Sequence, residues 1–143
     1  MQFSKLTEII NLKLPLVLAF LCFSYFARSQ YKLEIEIVNL RSNNGKIALE
    51  LLDNNQKVIL GKKCIIQNKK GVIIIDNLKT EKYAIHFIHD ENSNDKFDTN
   101  WLGIPIEGYG FSNNAFGNYG PLPFDKLLFK VKGDIRIILT TKY

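Results

Sequence analysis

The sharpest chemistry in the sequence lies in one short stretch. From His89 to Asp98 the chain reads H-D-E-N-S-N-D-K-F-D, with oxygen side chains at Asp90, Asn92, Asn94 and Asp98. Carboxylate, amide and main-chain oxygens at that spacing suit a hard cation such as calcium. With Asp90 as position 1, Asn92 falls at 3, Asn94 at 5, the Lys96 carbonyl at 7 and Asp98 at 9, the first part of an EF-hand-type loop. The match then ends. Position 12 is Trp101 instead of a bidentate acid, and position 6 is Asp95 instead of glycine, so a further carboxylate would have to come from Glu107 or Asp125. So few acids predict weak calcium binding, roughly 10⁻⁴ to 10⁻³ M. The plainer alternative is a polar loop, since Asn, Asp and Ser bond their own backbone and tolerate left-handed φ.

The other reactive side chains form no recognisable catalytic set. His86 and His89 are three apart, so on a strand they point to opposite faces and cannot chelate one ion. Ser112 lacks the strand-turn-helix setting of a nucleophile elbow. Cys64 adjoins Ile65 and Ile66 and reads as a small buried hydrophobe. No catalytic residue is assigned. The alternative is a hydrolase of envelope material built on His89, Asp90, Asp98 and Glu107, which would need a cleft where ionisable groups converge.

A long segment follows the loop, from Asp98 to Asp125, rich in glycine, proline and aromatic residues. Connections of this length without secondary structure are uncommon in a compact domain and are usually functional or disordered; the aromatic content argues against disorder. Trp101, Tyr109, Phe111 and Tyr119 are the candidate ligand-binding residues. Such side chains have an apolar body and a polar tip, suited to stacking on a sugar or to packing beneath the loop.

The elements that would position these residues are strands. Tyr31, Leu33, Ile35 and Ile37 alternate with Lys32, Glu34 and Glu36, which predicts one face on a core and one in water. Ile47, Leu49 and Leu51 repeat the pattern after Asn44-Gly45, a pair that predicts a hairpin. Val58–Leu60 and Cys64–Gln67 read as two short strands or one strand bulged at Gly61. Val72–Ile75, apolar on both faces, predicts a central strand. Tyr83–His89 leads into the oxygen-rich loop, and alternating segments around Phe129 and Ile137 close the chain. About seven strands and no amphipathic helix predict an all-β sandwich, because parallel sheets would need helical crossovers.

The first residues read as an address. Lys5 and Lys13 precede the apolar run Leu14–Ala27, with Ala27 and Ser29 at the small positions of a cleavage site. The run is short for a transmembrane helix, which needs roughly 20 apolar residues. The expectation is a secretory signal over 1–29, a single domain over 30–143, a secreted or periplasmic location and no membrane span once the signal is removed. Cys22 follows Phe20 and Leu21, unlike a lipoprotein acceptor. Without 1–29 the charge balance is 16 basic against 13 acidic side chains, and Cys64 is left without a disulfide partner. The lysines form no stripe for phosphates, so nucleic acid is not an expected partner. An envelope protein or glycan is.

The run H-D-E-N-S-N-D-K-F-D-T-N-W-L-G-I-P-I-E-G-Y-G-F-S-N-N-A, followed by F-G-N-Y-G-P-L-P-F, resembles the signature of the secreted bacterial family known as domain of unknown function 2141. The resemblance implies an exported single-domain protein with an immunoglobulin-like or transthyretin-like sandwich. It brings no activity and no catalytic residues. The family's loop more often reads D-E-N-G-N-G-K-L-D, where this chain carries Ser93 and Asp95 in place of the glycines. The combined reading is a non-enzymatic binding or structural accessory module of the bacterial envelope, with a calcium-stabilised loop.

Overall fold

The computed structural model describes residues 30–117 and 122–143. The signal expected over 1–29, Cys22 and Tyr119 lie outside the described residues. Eight strands run in order: β1 Tyr31–Val38, β2 Lys46–Asp53, β3 Val58–Ile65, β4 Gly71–Leu78, β5 Lys82–Asp90, β6 Gly108–Phe111, β7 Phe129–Lys130 and β8 Ile135–Thr140. They form two sheets, one in the order β4-β1-β8 and the other β3-β2-β5-β6, with β7 also pairing with β5. Among the described residues the only helical turns are two short 3-10 segments, Ser112–Asn114 and Phe124–Leu127.

The alternation read from the sequence decides which residues meet between the sheets. Leu33, Ile35 and Ile37 of β1 face Ile47, Leu49 and Leu51 of β2, and Ile85 and Phe87 of β5 complete the centre. Each such side chain contributes about 1.5–3 kcal/mol on full burial. β1 and β8 run parallel although no helix joins them. They are the first and last strands, and the second sheet together with β4 lies between them in the chain.

Two local expectations are corrected, and one choice left open by the sequence is decided. The Asn44-Gly45 turn does not close a hairpin: β1 and β2 lie in different sheets, and the segment between them crosses over the core. Gly45 is there for φ +72° and for space, since a Cβ would stand 1.9 Å from the Asp90 carbonyl oxygen. β4 is an edge strand, with Ile73 and Ile75 buried and Val72 and Ile74 facing water. An unbroken apolar run therefore did not require two covered faces. β3 is one continuous strand, and its register irregularity falls at Ile59, the residue skipped between Leu60 opposite Leu51 and Val58 opposite Leu52, not at Gly61.

Along β5, β6 covers His86–His89 and β7 covers Lys82 and Tyr83, which leaves a gap at Ile85. Ser112 fills it. Its buried Oγ accepts the Ile85 N–H at 3.0 Å and donates to the Leu127 carbonyl at 2.5 Å. Ser112→Ala would leave a buried N–H without a partner, so the variant should lose about 1–3 kcal/mol. The check is the urea midpoint of unfolding; an unchanged midpoint would mean that water replaces the hydroxyl.

Candidate functional site

Two buried carboxylates shape the loop after β5. Asp90, fully buried at the strand end, accepts the Asn94 N–H on Oδ1 at 3.0 Å and the Asp95 N–H on Oδ2 at 2.9 Å. Glu107, just before β6, accepts the Glu91 N–H at 2.9 Å and the Asp98 N–H at 3.1 Å, one on each oxygen. Charged acceptors with two amide donors each tolerate burial that a bare carboxylate would not. Ser93 (φ 59°) and Asp95 (φ 63°) both adopt left-handed backbone, the conformation that glycine would take without strain. Within the loop Asn92 Oδ1 accepts the Asn94 N–H and Asn94 Oδ1 accepts the Lys96 N–H. The amides of Asn92 and Asn94 both donate to Asp98 Oδ2, at 2.6 and 2.9 Å.

The structure thus brings Asp90, Asn92, Asn94 and Asp98 into one loop, with Lys96 between them, while Asp125 sits on the separate 3-10 turn Phe124–Leu127. Among the described residues, no three His, Cys, Asp or Glu side chains are grouped to hold a metal ion. Two lysines reach the loop. Lys46 Nζ lies 3.4 Å from Asp90 Oδ2 and 2.7 Å from Asp95 Oδ1, and Lys63 Nζ is 2.6 Å from that same Asp95 oxygen. The register makes this pairing: Lys46 stands opposite Asp90 across β2 and β5.

His89 is spent on structure. Its Nε2 faces the Asn44 carbonyl at 2.8 Å and so carries the hydrogen, which leaves Nδ1 to accept from the Tyr143 hydroxyl at 2.7 Å. The Tyr143 oxygen in turn accepts the Arg41 N–H at 3.0 Å. Burial pushes the Tyr143 hydroxyl above its ordinary pKa. Cys64 is half-buried and its thiol is likewise raised by burial, away from the thiolate form that reacts.

A concave feature lies on the other side of β5. The outer face of the second sheet holds a groove of about 750 Å³. Ala48 and Gly61 leave its floor low, and no atom lies within 4 Å of a Cβ built on Gly61. One wall is aromatic: Phe97, Tyr109 and Phe111 stand there, and Tyr109 meets Phe97 and Phe111 edge to face at 5.7 and 5.9 Å between ring centres. Phe116 packs behind them at 6.1 Å from Tyr109. Gly110 lets β6 approach this closely, because a Cβ would come within 2.5 Å of the Phe87 ring. Polar groups line the rest. His86 Nε2 is 2.5 Å from Glu50 Oε2 across β2 and β5, and the Lys63–Asp95 pair closes the end beside the loop.

Of the four aromatic residues singled out from the sequence, Tyr109 and Phe111 line this groove. Trp101 does not: it is 90% exposed at the tip of the 98–106 turn. Tyr119 is outside the described residues. The sequence reading missed Glu50, Lys63 and Phe97, and it considered His86 only as a metal ligand and set it aside. The signal was available in the alternation itself, since Ala48 and Glu50, and His86 and Ile88, had to face away from a core that claimed Leu49 and Phe87.

The profile of the bacterial family described as "Uncharacterized protein conserved in bacteria (DUF2141)" matches residues 35–138, most of the chain and all of the groove and loop residues described above. The chain belongs to this family. No curated protein and no solved structure matches it. DUF2141 membership brings no assigned activity to this chain.

The loop and groove meet at Asp95. Hydrogen bonds from Lys46, then Lys63, hold its carboxyl down from the ordinary 3.8 to about 2. A carboxylate stabilised in the folded state supports the fold above its unfolded pKa and loses that support as pH falls through about 2. The pairs are exposed, so water and salt keep their share of stability small. An NMR titration of the Asp95 carboxyl should show a midpoint near 2 that Lys46→Met moves toward 3.8. A midpoint already at 3.8 in the unmodified protein would mean that these ion pairs do not form in solution.

Proposed function

We propose that the protein is an exported, non-enzymatic binding module of the bacterial cell envelope, and that its ligand is a glycan held in the groove on the outer face of the second sheet. The observation that carries this reading is the pairing, in one groove, of an aromatic wall with polar groups on the opposite side. Sugar rings present apolar C–H faces that stack on aromatic side chains and hydroxyls that bond to carboxylate, imidazole and ammonium groups; Phe97, Tyr109 and Phe111 offer the first, Glu50, His86 and Lys63 the second. Export rests on the apolar N-terminal run and its small-residue boundary. The hydrolase alternative has less behind it, because Asp90, Glu107 and His89 are each committed to hydrogen bonds that hold the fold.

The test is a titration with soluble envelope oligosaccharides, followed by NMR shifts of groove amides. Gly61→Leu puts a side chain into open space, so it should fill the groove while leaving the unfolding midpoint unchanged. Binding should weaken at least tenfold in that variant and in Glu50→Gln, a loss of about 1.4 kcal/mol. Groove amides that stay put at millimolar oligosaccharide would sink the reading.

Calcium enters the proposal as a weak stabiliser of the 90–98 loop, through Asp90, Asn92, Asn94, Asp98 and the Lys96 carbonyl. It would have to displace the Lys46 ammonium and the Asn92 and Asn94 amide bonds to Asp98, which is a reason for affinity no tighter than about 10⁻⁴ M. Calorimetry at millimolar calcium should give heat that Asp98→Ala removes and Lys46→Met increases. No heat in any of the three proteins would retire the calcium site.

A further inference from the structure

The strands that end the two sheets are β4 and β8 in one, β3 and β6 in the other, and three of them carry a cap. Lys62 Nζ donates to the Ile74 carbonyl of β4 at 2.8 Å, and the Asn114 amide bonds the Ile138 carbonyl and the Thr140 N–H of β8. Lys142 exchanges two main-chain bonds of 2.9 Å with Tyr109 of β6. β3 is different. It pairs with β2 alone and is exposed along most of its length, and among the described residues no main-chain group outside β2 bonds to it. Every second residue of such a strand turns its N–H and C=O away from the partner, so β3 offers a row of unpaired donors and acceptors. The bulge at Ile59 interrupts that row near its start. From Leu60 to Ile65 the register is regular, which leaves roughly 20 Å of edge.

Charge says what kind of strand this edge would accept. The segment 54–75, which holds β3, the turn after it and most of β4, contains Lys57, Lys62, Lys63, Lys69 and Lys70 and no acid. Lys63 is paired with Asp95 and Lys70 with Glu36. Lys57, Lys62 and Lys69 are exposed and have no carboxylate partner among the described residues. The acids that flank β3 are engaged. Glu50, opposite Gly61, meets His86; Asp95 is held by Lys46 and Lys63; Asp53 accepts the N–H groups of Asn55 and Lys57. A second β3 laid along this edge would set lysines against lysines, and like charges on paired strands are destabilising. An acidic strand meets attraction instead.

We infer that the free edge of β3 from Leu60 to Ile65 is a docking site for an extended, acidic peptide segment of a partner protein, which joins the second sheet as a further strand. Main-chain bonds to the open row supply the affinity, and the lysines at either end and in the middle select the partner by charge. One face of the added strand passes Gly61, where no atom lies within 4 Å of a built Cβ. The site does not rest on the glycan reading: the edge can be occupied whether or not the groove is.

The probe is a capped peptide of alternating glutamate and valine, as long as the eight residues of β3, added to the full chain. The readout is NMR hydrogen exchange. Alternate amides between Leu60 and Ile65 should exchange fast in the free protein and slow with millimolar peptide, while the groove amides of β5 and β6 stay as they were. A lysine–valine peptide should bind about tenfold more weakly, as should the acidic peptide with its two central residues N-methylated, a loss of about 1.4 kcal/mol each. The Lys57→Glu, Lys69→Glu double variant alters two exposed side chains outside the strand, so it should fold normally and lose its preference for the acidic peptide. Unchanged exchange along β3, equal affinity for the two peptides, or protection that falls on the groove instead overturns the proposal. So does protection of the same amides that grows with protein concentration without peptide, which would assign the edge to a second copy.

Discussion

The buried carboxylates of Asp90 and Glu107 are the constraint on which the working end of the molecule depends. An ionised group removed from water must find donors, and here the donors are four main-chain N–H groups, of Asn94, Asp95, Glu91 and Asp98. Because each oxygen takes one amide, the backbone from 91 to 98 has little freedom left. That backbone carries Asp95 and Phe97 to the rim of the groove and delivers Asp98 to the base of the Trp101 turn. Two charges that are expensive to bury thus determine where an aromatic wall and an apolar tip stand.

The sandwich pays for this arrangement along β5. Its inner face supplies Tyr83, Ile85, Phe87 and His89 to the core, and its outer face supplies His86 and Ile88 to the groove. The same strand ends in Asp90. One edge of β5 is shared between β6 and β7, with the Ser112 hydroxyl bridging the interval. The long glycine-rich segment is therefore no appendage. Its β6 strand pairs with β5, its Gly110 lies against Phe87, and its Asn114 amide closes the free edge of β8 by bonding to the Ile138 carbonyl and the Thr140 N–H. Capping an edge in this way also blunts its tendency to recruit another chain.

The distribution of polar and apolar groups separates two surfaces. In the groove, apolar rings are interleaved with an imidazole–carboxylate pair and an ammonium, a mixture suited to a ligand that is itself amphipathic. At the Trp101 turn the side chains from Trp101 to Ile106 are apolar, and Asn100 holds the N–H groups of Leu102, Gly103 and Ile104.

Much of this was legible in the residues. Period-two alternation at Leu33–Ile37, Ile47–Leu51 and Tyr83–Phe87 is a local property, and it determined the all-β class and the inward faces without reference to anything distant. The oxygen spacing from Asp90 to Asp98 marked the loop for the same reason, since a turn that bonds its own backbone is encoded within it. What only the tertiary structure decided is partnership. Asn44-Gly45 looks identical in a hairpin and in a crossover, and the choice came from which sheet β2 joined. Val72–Ile75 reads as central until β4 is seen at an edge. The groove draws Glu50, Gly61, His86 and Phe97 from four separate segments, and Glu107 reaches back to amides of Glu91 and Asp98. Contacts between residues far apart in the chain leave no periodic trace in it, because they follow from strand order and register, which are set by the packing of the whole.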